Sequence, residues 1–191
     1  SLSGDLNMAT PSLSADGLTL YFTGWKNDPK TGVTPYHLFY MVRGTIDSPW
    51  KSPVMLPAPV NANGFQSKQP FITKDGKYLF FASDQPGSVG KFDIWMVVMD
   101  GRKPVGRSVN LGSTINTIGA DGTPFYDAVS ALLYFSTDGR AGMGGLDVFQ
   151  ANVYRGQNKW NEVTNLGWRS NSVRVEQYYG NDPCPSTEYP S

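Results

Sequence analysis

Leu132-Leu133-Tyr134-Phe135-Ser136-Thr137-Asp138-Gly139-Arg140-Ala141-Gly142-Met143-Gly144-Gly145-Leu146-Asp147-Val148-Phe149-Gln150 sets two apolar runs on either side of a loop of small and charged residues. The first run, 132–135, is rich in residues that suit a pleated surface, and the second, 146–149, is short and aromatic-ended. The four glycines between them give the loop backbone angles that other residues avoid. Two short strands joined by a glycine loop predict a hairpin.

The same pattern occurs elsewhere in the chain. Pro11, Pro70 and Pro124 open equivalent stretches, at spacings of 59 and 54. Leu38-Phe39-Tyr40, Ile94-Trp95-Met96 and Val148-Phe149-Gln150 correspond. Leu56, Leu111 and Leu166 recur every 55 residues, as do Asn61, Asn116 and Asn171. Agreement at this many positions marks an internal repeat. In the second unit it predicts strands near 66–72, 77–83, 92–98 and 104–111, with Asp75-Gly76 turning the first pair.

Composition agrees with an all-β chain. Asp is common and Glu scarce, there are 21 Gly and 14 Pro, and no window keeps a helical period. Four short strands per unit of about 55 residues describe antiparallel β-propeller blades, whose apolar faces are hidden only by stacking on one another. The units fall at 1–60, 61–115 and 116–170. Residues 171–191 begin a further blade, with a first strand over 175–179, or form an irregular tail. Three blades and part of a fourth fall short of the usual minimum of about four. A longer propeller, or a homo-oligomer of two chains, would close the ring.

Charge is balanced, 16 Lys plus Arg against 16 Asp plus Glu, which gives nucleic acid no basic excess to bind. No apolar run approaches the length of a membrane span. A single cysteine, Cys184, allows no intrachain disulfide and no cysteine-based metal site.

The Ser-Asp-Gly-x-x-Leu-Tyr-Phe-like and Gly-x-Gly-Gly-x-Asp-Ile-Tyr-like strands resemble the TolB-type, WD-like propeller repeat. Residues 138–149, with Asn165-Leu166-Gly167 and Asn171-Ser172, are similar to the propeller of OmpA-family envelope proteins of the PorE-like kind, found in type IX secretion. The resemblance covers about residues 8–178. It implies a periplasmic module associated with the outer membrane, whose partners are cell-envelope proteins. The first unit departs from the pattern: Gly24-Trp25 stand in place of Ser-Asp, and His37 in place of Asp93. The third has Ser130-Ala131 where the others have Asp-Gly.

Asp16, Asp75, Asp93 and Asp147 recur at turns, where a carboxylate accepts hydrogen bonds from loop amides. The loop face offers Trp25, Asp84, Asp138 and Arg140 to a partner, with Trp25 expected in the long loop of the first unit. The glycine loops and the segments 61–68 and 116–122 should share that face. Asp side chains with loop carbonyls make a hard-oxygen set suited to calcium, but no EF-hand spacing is present, and the expectation is no cofactor and no metal. A glycosidase needs two convergent carboxyls with separate roles, whereas repeated turn acids point alike. No catalytic residue is assigned, and the sequence is read as a non-enzyme that docks proteins. The other reading is a carbohydrate-active propeller, a hydrolase or lectin.

Overall fold

A computed structural model describes residues 6–30, 32, 35–153 and 160–175. Most of the strand expected at 175–179, and Cys184, lie outside the described residues. The strands are β1 (Asn7–Leu13), β2 (Thr19–Trp25), β3 (His37–Val42), β4 (Val54–Met55), β5 (Ser67–Ile72), β6 (Tyr78–Ser83), β7 (Asp93–Asp100), β8 (Lys103–Asn110), β9 (Asp121–Asp127), β10 (Leu132–Thr137), β11 (Asp147–Val153) and β12 (Trp160–Asn165). They form three four-stranded antiparallel sheets in sequence order, β1–β4, β5–β8 and β9–β12. These are the blades that the repeat predicts.

Equivalent positions have equivalent conformations. In each first strand the residue before the repeated proline lies at positive φ: Thr10 at 48°, Gln69 at 56° and Thr123 at 46°. The ladder to the second strand shifts register at that point in all three blades. A bulge suits proline, which has no N–H to give a ladder.

The core lies between the sheets. Phe22, Phe81 and Phe135 are equivalent and almost fully buried. Phe81, Leu79 and Trp95 pack with Tyr21, Leu38 and Leu56 of the first blade. Phe135, Leu133 and Phe149 pack with Phe80 and Ile94 of the second. Each such side chain contributes roughly 1.5–3 kcal/mol through burial. The aromatic pair on this side of the sheet also repeats, Phe22 on Phe39 at 5.8 Å and Phe135 on Phe149 at 6.2 Å.

Two local expectations are corrected. Trp25 is the last residue of β2, opposite Asn7, and is not in the loop. The strand extends this far because Gly24 leaves room for the Phe39 ring, which a Cβ there would meet at 2.7 Å. The Asp75-Gly76 turn is wider than a two-residue hairpin. The Gly76 amide donates to the Thr73 carbonyl, and the Thr73 amide to that of Tyr78. Gly76 sits at φ 70°, and Asp75 accepts from the Thr73 hydroxyl and the Lys77 amide. The fourth strand of the first blade shrinks to two residues, since Pro49 and Pro53 in the segment before it cannot donate to a ladder.

Candidate functional site

In an up-and-down sheet the loops between second and third strands share one end with the connectors that leave each fourth strand. Here that end carries the glycine loops 84–92 and 138–146 and the connectors 56–66, 111–120 and 166–175. Each connector is fixed by an asparagine. Asn61 Oδ1 accepts from the Leu38 amide and its Nδ2 donates to the Leu38 carbonyl, both at 2.9 Å. Asn116 does the same to Ile94 at 2.8 and 3.0 Å, and Asn171 to Val148 at 2.8 and 3.0 Å. The side-chain amide thus reads the third strand as another strand would, which is why it recurs at each connector.

The acids hold the same end together. Asp93 accepts from the amides of Val89 and Gly90 and from the side chain of Asn110. Asp147 accepts from the Met143 amide. Asp16 accepts from Ser14 and the Leu18 amide at the opposite end of its blade. Asp84 Oδ1 accepts from the Gln66 amide at 2.6 Å, and Asp138 Oδ1 from the Ala120 amide at 2.6 Å. Both therefore tie a second strand to the connector beside it. Arg140 donates through Nη2 to the carbonyls of Thr114 and Ile115, bridging its loop to the neighbouring connector. Trp25 packs edge-on against Tyr36 at 5.6 Å, folded onto its own blade. The structure places Trp25 on β2 and uses Oδ1 of Asp84 and Asp138 and Nη2 of Arg140 within the fold, while Arg140 Nε is buried without a partner.

Two buried groups stand out electrostatically. Asp121 at the head of β9 is 1 % exposed. Burial pushes its carboxyl above the usual range, and nearby Asp93 adds to the shift, against hydrogen bonds from Thr137 and Thr117. Burial lowers the Lys68 ammonium, which lies 3.8 Å from the centre of the Phe92 ring. His37 heads β3 opposite Gly24. Burial lowers its imidazole, and Nδ1 has no hydrogen-bond partner.

Along the axis the three first strands line a cleft of about 420 Å³. Pro11, Pro70 and Pro124 stand at its wall with Phe71 and Phe125, and Lys74 and Asp127 are its charged lining. Hydrogen bonds cross between blades here, from the Gln69 amide to Thr23 Oγ1 and from the Thr123 amide to Gln69 Oε1. Among the described residues no three His, Cys, Asp or Glu side chains gather as a metal cage, and no helix is long and apolar enough to cross a membrane.

No family model matches the chain, and no curated protein matches it. Solved structures do. TolB from Acinetobacter baumannii superposes with a TM-score of 0.53 at 14 % identity, over 87 % of this chain and 33 % of its own. The α-L-arabinofuranosidase from Lactobacillus brevis gives 0.55 at 14 %, over 81 % and 53 %. The xylan β-1,4-xylosidase from Bacillus halodurans gives 0.51 at 18 %, over 85 % and 31 %. The chain thus spans a third to a half of the length of these structures. The two glycosidases overturn the expectation that the chain is not an enzyme. That expectation took the repeat's symmetry as a bar to catalysis, yet enzymes carry the same array of blades. What the likeness shows is the architecture: the chain is built of TolB-like β-propeller blades.

Proposed function

We propose that the chain is a docking module of the bacterial cell envelope. In this reading it lies in the periplasm, associated with the outer membrane, and binds envelope proteins within an assembly of the type IX secretion kind. The observation that carries it is the preorganised loop face. Asparagine clamps, Asp84, Asp138 and Arg140 fix connectors and glycine loops to one another. A surface already held in its bound shape loses little entropy when a partner docks. The similarity of 138–149 and 165–172 to OmpA-family propellers supports the setting. The experiment is photo-crosslinking from the loop face in envelope preparations. Reproducible crosslinks to envelope proteins are expected, and their absence would end the reading.

Asn171 and Leu166 grip Val148 as Asn61 and Leu56 grip Leu38, so the chain leaves the third blade along the path that led into the second. Further blades, or a second copy of the chain, complete the ring in this reading. The mass in solution distinguishes the two.

A second reading, a carbohydrate-active propeller, is favoured by the likeness to the two glycosidases. Release of sugar from arabinoxylan, or retention on a glycan array, would establish it.

A further inference from the structure

Four exposed apolar side chains occupy repeat-equivalent places on the loop face. Val89 and Met143 stand 54 residues apart in the two glycine loops, and Ile118 and Val173 stand 55 apart in the two connectors. Their exposures are 49 %, 46 %, 83 % and 81 %. Within each blade the two belong together. A Cβ on Gly90 would overlap the carbonyl oxygens of Thr117 and Gly119, and one on Gly144 would overlap those of Arg174 and Ser172. The Lys91 amide donates to Gly119, and the Gly145 amide to Arg174, in the same geometry. The loop before each connector is thus pressed onto it, with Gly90, next to Val89, against the backbone of Ile118 and Gly144, next to Met143, against that of Val173. The first blade carries Asn63 at the equivalent connector position.

Protruding side chains on pinned backbone do not serve the core, and their repetition fits a ligand that meets successive blades. Lys91, Arg174 and Arg169 are exposed on the same face. Among the described residues the one ion pair is Lys77 with Asp75, and none of these residues gives a carboxylate to the three cations. Trp168 beside Arg169 is 74 % exposed. Aromatic and arginine side chains around an apolar centre are the common composition of protein-binding hot spots.

We propose that the Val89–Ile118 and Met143–Val173 pairs bind an extended, acidic protein segment that places an apolar side chain on each blade. Its carboxylates pair with Lys91, Arg169 and Arg174. This inference rests on the docking reading above and names the partner's chemistry.

The probe is a fluorescent twelve-residue peptide of alternating leucine and aspartate, with counterparts carrying lysine for aspartate or serine for leucine. The Leu–Asp peptide should bind, and the counterparts should bind at least about tenfold more weakly. Ile118→Ser with Val173→Ser should weaken binding about tenfold while leaving the circular dichroism spectrum unchanged. Lys91→Ala with Arg174→Ala should weaken it and flatten its salt dependence, since exposed charge pairs are screened. The proposal is overturned by no binding of the Leu–Asp peptide, by equal binding of the lysine peptide, or by binding insensitive to the Ser pair. Adsorption to phosphatidylglycerol vesicles that the Ser pair abolishes would also overturn it, assigning the patch to a lipid surface. Envelope crosslinks that survive the Ser pair would defeat this inference and spare the docking reading. No crosslinks at all would defeat that reading itself.

Discussion

Asn116 hydrogen-bonds both backbone groups of Ile94, accepting its N–H at 2.8 Å and donating to its carbonyl at 3.0 Å. The asparagine is 2 % exposed and its strand partner is fully buried. One planar amide therefore satisfies two backbone groups that water cannot reach. It also donates to Asn110, fixing the turn that precedes it. Because the clamp joins the third strand of one blade to the connector of the next, it links the stacking of blades to the shape of the loop face.

Asn116→Ala leaves the Ile94 N–H without a partner, while the Ile94 carbonyl keeps the Leu111 amide at 3.1 Å. One unsatisfied buried group costs about 1–3 kcal/mol, so a loss of about that size is expected. Asn61 is less buried, and Asn61→Ala should cost less. Urea unfolding midpoints at constant slope measure both. Equal and negligible effects would remove the clamp from the account.

Gly90→Ala places a methyl against the Thr117 carbonyl, and Gly144→Ala against that of Arg174. Both obstacles are backbone, so the loop must lift from the connector, at roughly 1–3 kcal/mol. Gly101 provides the contrast, with no atom within 4 Å of its added Cβ and a φ of 58°. Gly101→Ala should cost about 1 kcal/mol through backbone strain alone. Amide exchange should quicken in residues 117–119 for Gly90→Ala and stay unchanged there for Gly101→Ala.

The repeat was legible because its constraints act on residue type at fixed spacing. An asparagine recurs because an amide is needed at every connector, and Phe81 and Phe135 recur because each fills the gap between its own sheet and the preceding one. Less could be read where atoms, rather than types, decide. Asp84, Asp138 and Arg140 sit on the loop face as expected, but their polar atoms are turned to connector amides and carbonyls. Sequence spacing gives no sign of that direction. Trp25 follows a turn-like Gly24 and reads as loop, whereas that glycine marks a strand passing under Phe39. Ile118 and Val173 already stood 55 apart, and a search for apolar residues repeated within turn-rich segments would have found them.

Ala131 holds φ at 56° in the β9–β10 turn, where the first two blades use Gly17 and Gly76 at 70°. The left-handed region costs a non-glycine residue about 1–2 kcal/mol, and glycine's extra unfolded freedom costs about 0.5–1. Ala131→Gly should therefore stabilise the protein by roughly 0.5–1 kcal/mol. A higher urea midpoint with unchanged slope is the expected result. A lower one would mean that the alanine methyl contributes packing that outweighs its strain.

Asp121 should make stability fall with rising pH. Its carboxyl is held above the usual range, chiefly by burial. Above about pH 4 the unfolded chain has lost this proton while the folded protein retains it. The folded state then binds more protons than the unfolded state, so this site's contribution declines as pH rises, until the folded carboxyl also ionises. Asp16, Asp75 and Asp127 act in the opposite sense, because hydrogen bonds lower them. They lie in the turns at the far end of the blades and are shared by wild type and variant. Asp121→Asn keeps an oxygen to accept the Thr117 amide but has no proton to lose. The unfolding free energy of wild type minus that of Asp121→Asn should therefore decrease between pH 4 and 7. A difference that is flat or grows over that range would show that the Thr117 and Thr137 hydrogen bonds outweigh burial and hold the carboxylate ionised.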